Sequence, residues 1–301
     1  TSLSNMDLTQ FVYGDGGSSS IGLYPTSMAN PDLGWETSSS YNLGVDFSVL
    51  SGRISGALDV YTTKTTDLLL KVRIPNMSGY ETFLSNIGET SNKGIEVTIN
   101  TENIKTKDFS WNSTLVFSSN FNKILHLTGE DLNGDGKEDD DLASKWFIGY
   151  SLGSNYDYVF DGIWQEGDDF SIDKSAKPGD IKFKDLSGNG SIGPEDRMVL
   201  HNNRPKAMIS LNNSFRYKDF SLSFLLDARL GGYAPNTWTN PGTNQYNRTN
   251  QLDLPYWTPE NPRNDRPSVG YSNPRSYGFY EKLSYLRFQD ISLSYDFPKN
   301  L

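Results

Sequence analysis

Two short stretches carry oxygen-bearing side chains at the spacing of a calcium loop. Asp131, Asn133, Asp135, Gly136 and Asp139 stand at positions 1, 3, 5, 6 and 9 of one such loop, with Leu142 at position 12. Asp185, Ser187, Asn189, Gly190 and Asp196 stand at positions 1, 3, 5, 6 and 12 of another. Calcium takes about six to eight hard oxygens, and the central glycine permits the sharp turn. The same residues also make an ordinary solvated Asp/Asn/Gly turn. Both readings stay open, with Ca2+ as the candidate cofactor. Gly188-Asn-Gly190-Ser-Ile-Gly193 matches a dinucleotide fingerprint, but Pro194-Glu195-Asp196 and a strand pattern follow where that fold needs a helix.

Catalytic chemistry has little to work with. Cysteine is absent, which removes thiol nucleophiles, disulfides and zinc-thiolate sites. The only histidines are His126 and His201, so a three-histidine zinc site is impossible. Both read as solvated residues of long connections. No G-x-S-x-G, H-E-x-x-H or Walker pattern occurs, and the carboxylates are paired by nothing local. No catalytic residue is assigned, and the chain is expected not to be an enzyme. N-x-S/T sequons such as those at Asn76, Asn112, Asn212 and Asn247 read as chance matches.

Aromatic residues offer binding chemistry instead. Trp146, Trp164, Trp238, Tyr246, Tyr256, Trp257, Tyr271, Tyr277 and Tyr280 lie among Asn and Asp in the long connections. A ring covers one face of a pyranose while amides bond its hydroxyls. Trp238, Tyr246 and Trp257 are the candidate ligand-binding residues. The rival reading packs these rings loop against loop. With Lys plus Arg at 27 and Asp plus Glu at 37, the net charge is −10. That excess of carboxylates argues against nucleic acid and against adhesion to an anionic membrane surface.

The elements that must position these residues have period two. Tyr41, Leu43, Val45, Phe47 and Val49 alternate with Asn42, Gly44, Asp46 and Ser48. Ile54 to Tyr61, Ile95 to Asn100, Phe109 to Phe117, Ala207 to Tyr217, Phe220 to Asp227 and Ile291 to Phe297 alternate likewise. Each segment therefore has one apolar and one polar face, as a strand does. The connections alternate short and long: 50–53, 101–108 and 218–219 against 62–92, 119–206 and 229–283. A transmembrane β-barrel has short turns at one end and long extracellular loops at the other. The expected fold is all-β, an antiparallel up-and-down transmembrane barrel. The polar parity, including Asn42, Asp46, Asp59, Glu96, Asn112, Asn212 and Arg216, would line its wet side.

Several segments resemble the SusC/RagA family of TonB-dependent outer-membrane transporters. They are Asn30-Pro-Asp-Leu-Gly-Trp-Glu36, Thr66-Asp67-Leu68-Leu69, Ser78-Gly79-Tyr80, Asn86-Ile87-Gly88 and Asn92-Lys93-Gly94-Ile95-Glu96. Pro178-Gly179-Asp180-Ile181, Asp185 to Arg197, Tyr256 to Pro262, Tyr285-Leu286-Arg287 and Leu293 to Pro298 follow in family order. Ser187 and Asn189 depart mildly from the family's Asn and Asp. The resemblance implies that residues 1–301 are an internal piece of the C-terminal half of a larger barrel, seen as an open arc without the plug domain. It implies import of a glycan or peptide nutrient across the bacterial outer membrane. The partners would be membrane lipid, a SusD-like surface lipoprotein, and TonB through the missing N-terminal region. The rivals are a soluble all-β carbohydrate-binding module and a β-rich hydrolase with a carboxylate pair.

Overall fold

A computed structural model describes residues 5–12, 19–74, 76–80, 82–236 and 254–297. These residues are almost entirely strand and turn, with two short 3-10 turns at Asn76–Ser78 and Pro194–Asp196. The chain divides into two compact units, residues 1–152 with 214–218, and residues 153–213 with 219–301.

The first unit is an antiparallel meander of long strands. β1 (Asn5–Val12) pairs antiparallel with β2 (Ser19–Met28), whereas β2 meets β5 (Thr82–Lys105) in parallel at Ser27 and Met28. β3 (Thr37–Val49), β4 (Ile54–Arg73), β5 and β6 (Phe109–His126) pair in chain order. The register aligns the alternation across all four strands. Leu43, Val60 and Ile95 share one row of a face, and Val45, Leu58, Val97 and Phe117 the next. The opposite face carries Asn42, Asp46, Asp59, Glu96 and Asn112 together, as the parity requires. The turns at 50–53 and 106–108 lie at one end. Lys218 N, donating to Asp108 O at 2.8 Å, adds the third short turn to that end.

Several boundaries differ from the sequence expectation. Residues 62–92 are not a long loop: β4 runs on to Arg73 and β5 begins at Thr82, which leaves only a short connection. Thr62-Thr-Lys-Thr-Thr-Asp67 is polar at every position, so alternation stops there while strand pairing continues. A strand with both faces wet has no reason to alternate. A bulge between Thr65 and Leu69 interrupts the ladder there, with Asp67 at φ 58°. Residues 119–206 likewise open with the end of β6 and then contain further strands.

The second unit holds β12 (Phe220–Leu230) paired with β15 (Tyr285–Tyr295), with β11 (Ala207–Tyr217) entering it. Three small ribbons join them. β7 (Ser154–Tyr158) pairs with β10 (Arg197–Asn202), β8 (Phe160–Ile163) with β9 (Ile181–Phe183), and β13 (Tyr233–Pro235) with β14 (Tyr280–Lys282). The long connections are thus folded bodies. Their core is Tyr158, Ile163, Ile181 and Phe183 from one excursion packed on Trp257 and Tyr271 from the other.

Within its own unit, β3 pairs only with β4, and β15 pairs only with β12, among the described residues. Both strands leave a large apolar face in the open: Leu43 is 73% exposed and Leu293 is 72% exposed.

Candidate functional site

The polar face of the first unit is a hydrogen-bonded wall. Ser38 meets Thr65 and Ser40 meets Thr63, each hydroxyl pair at 2.8 Å. Thr114 Oγ1 donates to Asn100 Oδ1 at 2.8 Å, and Asn120 Nδ2 donates to the Tyr61 hydroxyl at 2.7 Å. Tyr61 reaches Asn120 by crossing Gly94, where a Cβ would lie 2.3 Å from its ring. This row of hydroxyls and amides is the side suited to water and solute.

The apolar face has the opposite character and is banded. From Tyr41 to Val49 is about 26 Å along the strand at the usual rise, of the order of the roughly 25 Å apolar band of a membrane barrel. Tyr41 and Phe121 share the row at one end of the band with Thr62 and Lys93. Beyond them, Lys64 pairs with Glu89 at 2.8 Å. At the other end Trp111 stacks on Phe215 with ring centroids 5.5 Å apart. Aromatic rings flanking an apolar band are the pattern of membrane interfaces.

Above the band, residues far apart in sequence close on one another. Asn86 Oδ1 accepts from Gly34 N at 2.7 Å, while its Nδ2 donates to Gly34 O and to Asp67 O at 3.1 and 2.9 Å. Asn30 Nδ2 donates to Leu84 O at 2.8 Å, and Glu36 Oε1 accepts from Leu69 N at 2.9 Å. The 30–36 segment is thereby clasped to the extensions of β4 and β5. Sequence reasoning noted these motif residues without assigning them a role. Their only local signal was Asn, Asp and Gly at strand margins.

The two Asp-rich loops are closed by their own backbones. Asp131 accepts from the N–H groups of Gly134, Asp135 and Gly136 at 2.7–3.2 Å. Asn133 accepts from Asp135 N, Lys137 N bonds Asp135, and Asp139 accepts from Leu132 N and Asn133 Nδ2. In the second loop Asp185 accepts from Gly188 N and Gly190 N at 2.7 and 2.8 Å, and from the Ser187 hydroxyl at 3.2 Å. Asn189 accepts from Ser191 N at 2.8 Å. Asp196, fully buried, accepts from Leu186 N, Ser187 N and Gly193 N at 2.7–2.9 Å. Burial alone would raise the Asp196 pKa, but these hydrogen bonds outweigh it and hold the carboxyl below its usual range. Among the described residues, no three His, Asp or Glu side chains converge as a metal set.

Neither histidine is a free loop residue. His126 ends β6 and is bonded through Nδ1 to Glu138. Glu138 also accepts from Leu127 N and Gly129 N at 2.6 and 2.8 Å. Burial would raise the Glu138 pKa, but the bonds from Gly129, His126 and Leu127 prevail and lower it. His201 lies in β10, stacked on Tyr233 with centroids 4.1 Å apart, and burial lowers its pKa.

In the second unit the aromatic candidates separate. Trp238 and Tyr246 lie outside the described residues. Trp257 is buried in the core, its Nε1 donating to Gln165 Oε1 at 2.8 Å, so its ring is taken up by packing. Tyr271 is buried there as well. Sequence reasoning missed Gln165, whose Nε2 also donates to Ile163 O and Arg263 O at 2.8 and 2.9 Å. Gln165 thus ties the two excursions together. Beside it lies a cleft of about 350 Å³ rimmed by Asp161, Asp168, Lys182, Arg263 and Asn264. Lys182 Nζ sits 4.6 Å from the Trp164 ring centroid. This rim of donors and acceptors suits a hydroxyl- or amide-rich solute.

Comparison with known proteins bears on these features. A family model described as TonB dependent receptor-like, beta-barrel, matches residues 7–301. TonB-dependent receptor P3 of Formosa agariphila is 34% identical over 290 residues, covering 93% of this chain and 29% of that protein. TonB-dependent receptor SusC of Bacteroides thetaiotaomicron is 30% identical over 308 residues, covering 97% of this chain and 29% of that protein. The solved structure of the RagAB peptide transporter aligns with a TM-score of 0.72 at 23% identity, covering 99% of this chain and 32% of that one, a likeness of fold. The chain spans less than a third of the length of the curated relatives it matches.

Proposed function

The chain belongs to the SusC/RagA family of TonB-dependent receptors, and we propose that it forms wall and outer loops of an active transporter of the bacterial outer membrane. The cargo is a glycan or another large nutrient. A SusD-like surface lipoprotein caps the mouth, and TonB supplies energy through a region outside this chain. The protein acts by binding and passage, not by catalysis.

One observation carries this reading: four long strands in register with an exposed apolar face, belted by aromatic residues, behind a hydroxyl- and amide-lined face. A soluble module would have to cover that apolar surface, since soluble monomers rarely expose apolar patches beyond a few hundred Å². In a membrane barrel lipid covers it, while the polar face meets the solute. The folded excursions supply the recognition surface.

The test is fractionation and uptake with the intact protein. It is expected in the outer-membrane fraction, extractable only with detergent, and its deletion should abolish TonB-dependent uptake of a labelled nutrient. An intact protein that stays soluble and monomeric without detergent overturns the reading.

A further inference from the structure

Segment 273–280, which leads into β14, is held in an unfavourable backbone. Asn273, Ser276 and Phe279 have φ of 51°, 54° and 50°. Asn tolerates the left-handed region, but a bulky aromatic there is an outlier that its surroundings must impose. The surroundings are present. Asn273 donates from Nδ2 to Tyr277 O and accepts from Tyr277 N, both at 2.9 Å. The buried Asp157 accepts from Gly278 N and from the Tyr280 hydroxyl, both at 3.0 Å. Gly278 leaves room for the Tyr280 ring, which a Cβ would approach to 2.7 Å.

This backbone aims rings into a hollow. Phe160, Tyr277, Phe279 and Tyr280 wall a cavity of about 190 Å³. Tyr277 stacks on Phe160 with centroids 6.3 Å apart and lies 5.5 Å from Phe279. Asp265, Arg266, Pro267 and Glu281 complete the lining. Asp265 is fixed by Arg263 at 2.7 and 2.9 Å and by Arg266 at 3.8 Å, whereas Glu281 has no side-chain partner among the described residues. The core beside it, where Tyr158 meets Phe183 at 5.1 Å, is closed. The hollow therefore opens beside a packed core.

The lining selects a ligand type. Ring faces accept the apolar C–H face of a saturated ring. A hydroxyl both donates and accepts, so it can meet carboxylate and guanidinium alike. A cation would be drawn to the rings but would face Arg266, and an anion would face Asp265 and Glu281. A neutral polyhydroxylated ring meets no like charge. The volume is about six waters' share of liquid, room for one such ring.

We propose that this cavity is a subsite holding one neutral sugar ring of a saccharide ligand, with Phe279 and Tyr280 as stacking faces and Arg266 and Glu281 bonding its hydroxyls. The proposal rests on the glycan side of the function proposed above. The test uses the intact receptor in detergent and a panel of neutral oligosaccharides (glucan, mannan, xylan and galactan fragments), with affinity measured by calorimetry. At least one should bind, and Phe279→Ala should weaken it by about tenfold or more. Glu281→Gln, an exposed change, should weaken it several-fold without moving the thermal unfolding, and keeps the test alive if Phe279→Ala fails to fold. A saccharide bound with unchanged affinity by the folded variants overturns the subsite and leaves the glycan reading standing. If no saccharide binds, the subsite is refuted. Peptide uptake by the same receptor would then refute the glycan reading too, whereas saccharide uptake would leave it intact. Tetramethylammonium binding tighter than any saccharide would also overturn the proposal, making the cavity a cation cage.

Discussion

Single carboxylates do the closing in this protein. Asp196 takes three backbone N–H groups with its two oxygens. An asparagine there keeps one acceptor and turns an N–H2 toward a donor. Asp196→Asn should therefore cost about 1–3 kcal/mol locally, read as faster hydrogen exchange at Leu186, Ser187 and Gly193; unchanged exchange would refute the assignment. Because the loop oxygens already hold N–H groups, millimolar calcium is expected to leave exchange at 185–196 unchanged, and added protection would establish a cation loop instead. Glu138 clasps residues 127–138 in the same way. Its folded pKa and that of Asp196 are lowered. Their stabilisation is complete above the ordinary carboxylate pKa of about 4 and is lost as pH falls through the lowered folded values. Both loops should stay closed at pH 5 and open only in stronger acid, which amide exchange against pH would register.

Faces and bulges decide what each strand does. Val45 and Ser48 lie three residues apart on β3 and point to opposite faces. Val45→Arg in the intact protein places a charge in the apolar band, at a cost of about 2–4 kcal/mol near the midplane. Ser48→Arg adds the same charge to the wet face. The first should reduce the heat-resistant, membrane-inserted fraction on electrophoresis and the second should not; equal effects would break the face assignment. β15 shows why one alternating run starts only at Ile291. A bulge opposite Leu225 and Leu226 adds a residue, which keeps Phe288 on the same face as Ile291 although their numbers differ in parity. Phe224 and Phe288 then meet at 5.9 Å. The bulge corrects the phase that a simple count would lose.

At the scale of the whole molecule, the excursions behave as one body where residues 153–206 and 254–284 share a core. Phe183 lies within 5.1 Å of Tyr158 and 5.3 Å of Tyr277, ring to ring, one from each excursion. Asp157 and Gln165 add polar ties across the same divide. Burial with the neighbouring Asp157 pushes the Tyr277 hydroxyl up to about 12, so it remains a neutral packing group at any ordinary pH. Phe183→Ala should remove about 3–5 kcal/mol. Limited proteolysis of the intact receptor should then cut both excursions together. Cutting in only one of them would mean that they fold independently.

What the sequence determined by itself was what is local. Alternation from Tyr41 to Val49 or Phe220 to Asp227 depends only on successive side chains pointing to opposite sides, so strand existence and face were legible residue by residue. The motif order carried the family for the same reason. Tertiary structure decided everything that needs a partner distant in sequence. Residues 62–73 look like loop because both faces are polar, yet pairing with β5 makes them strand. Trp257 looks like a ligand-facing ring, yet Gln165 and Ile163, more than 90 residues away, bury it. Asn86 closes on Gly34 across 52 residues. No spacing rule encodes such contacts, because they arise only when the chain has paid the entropy of bringing those segments together.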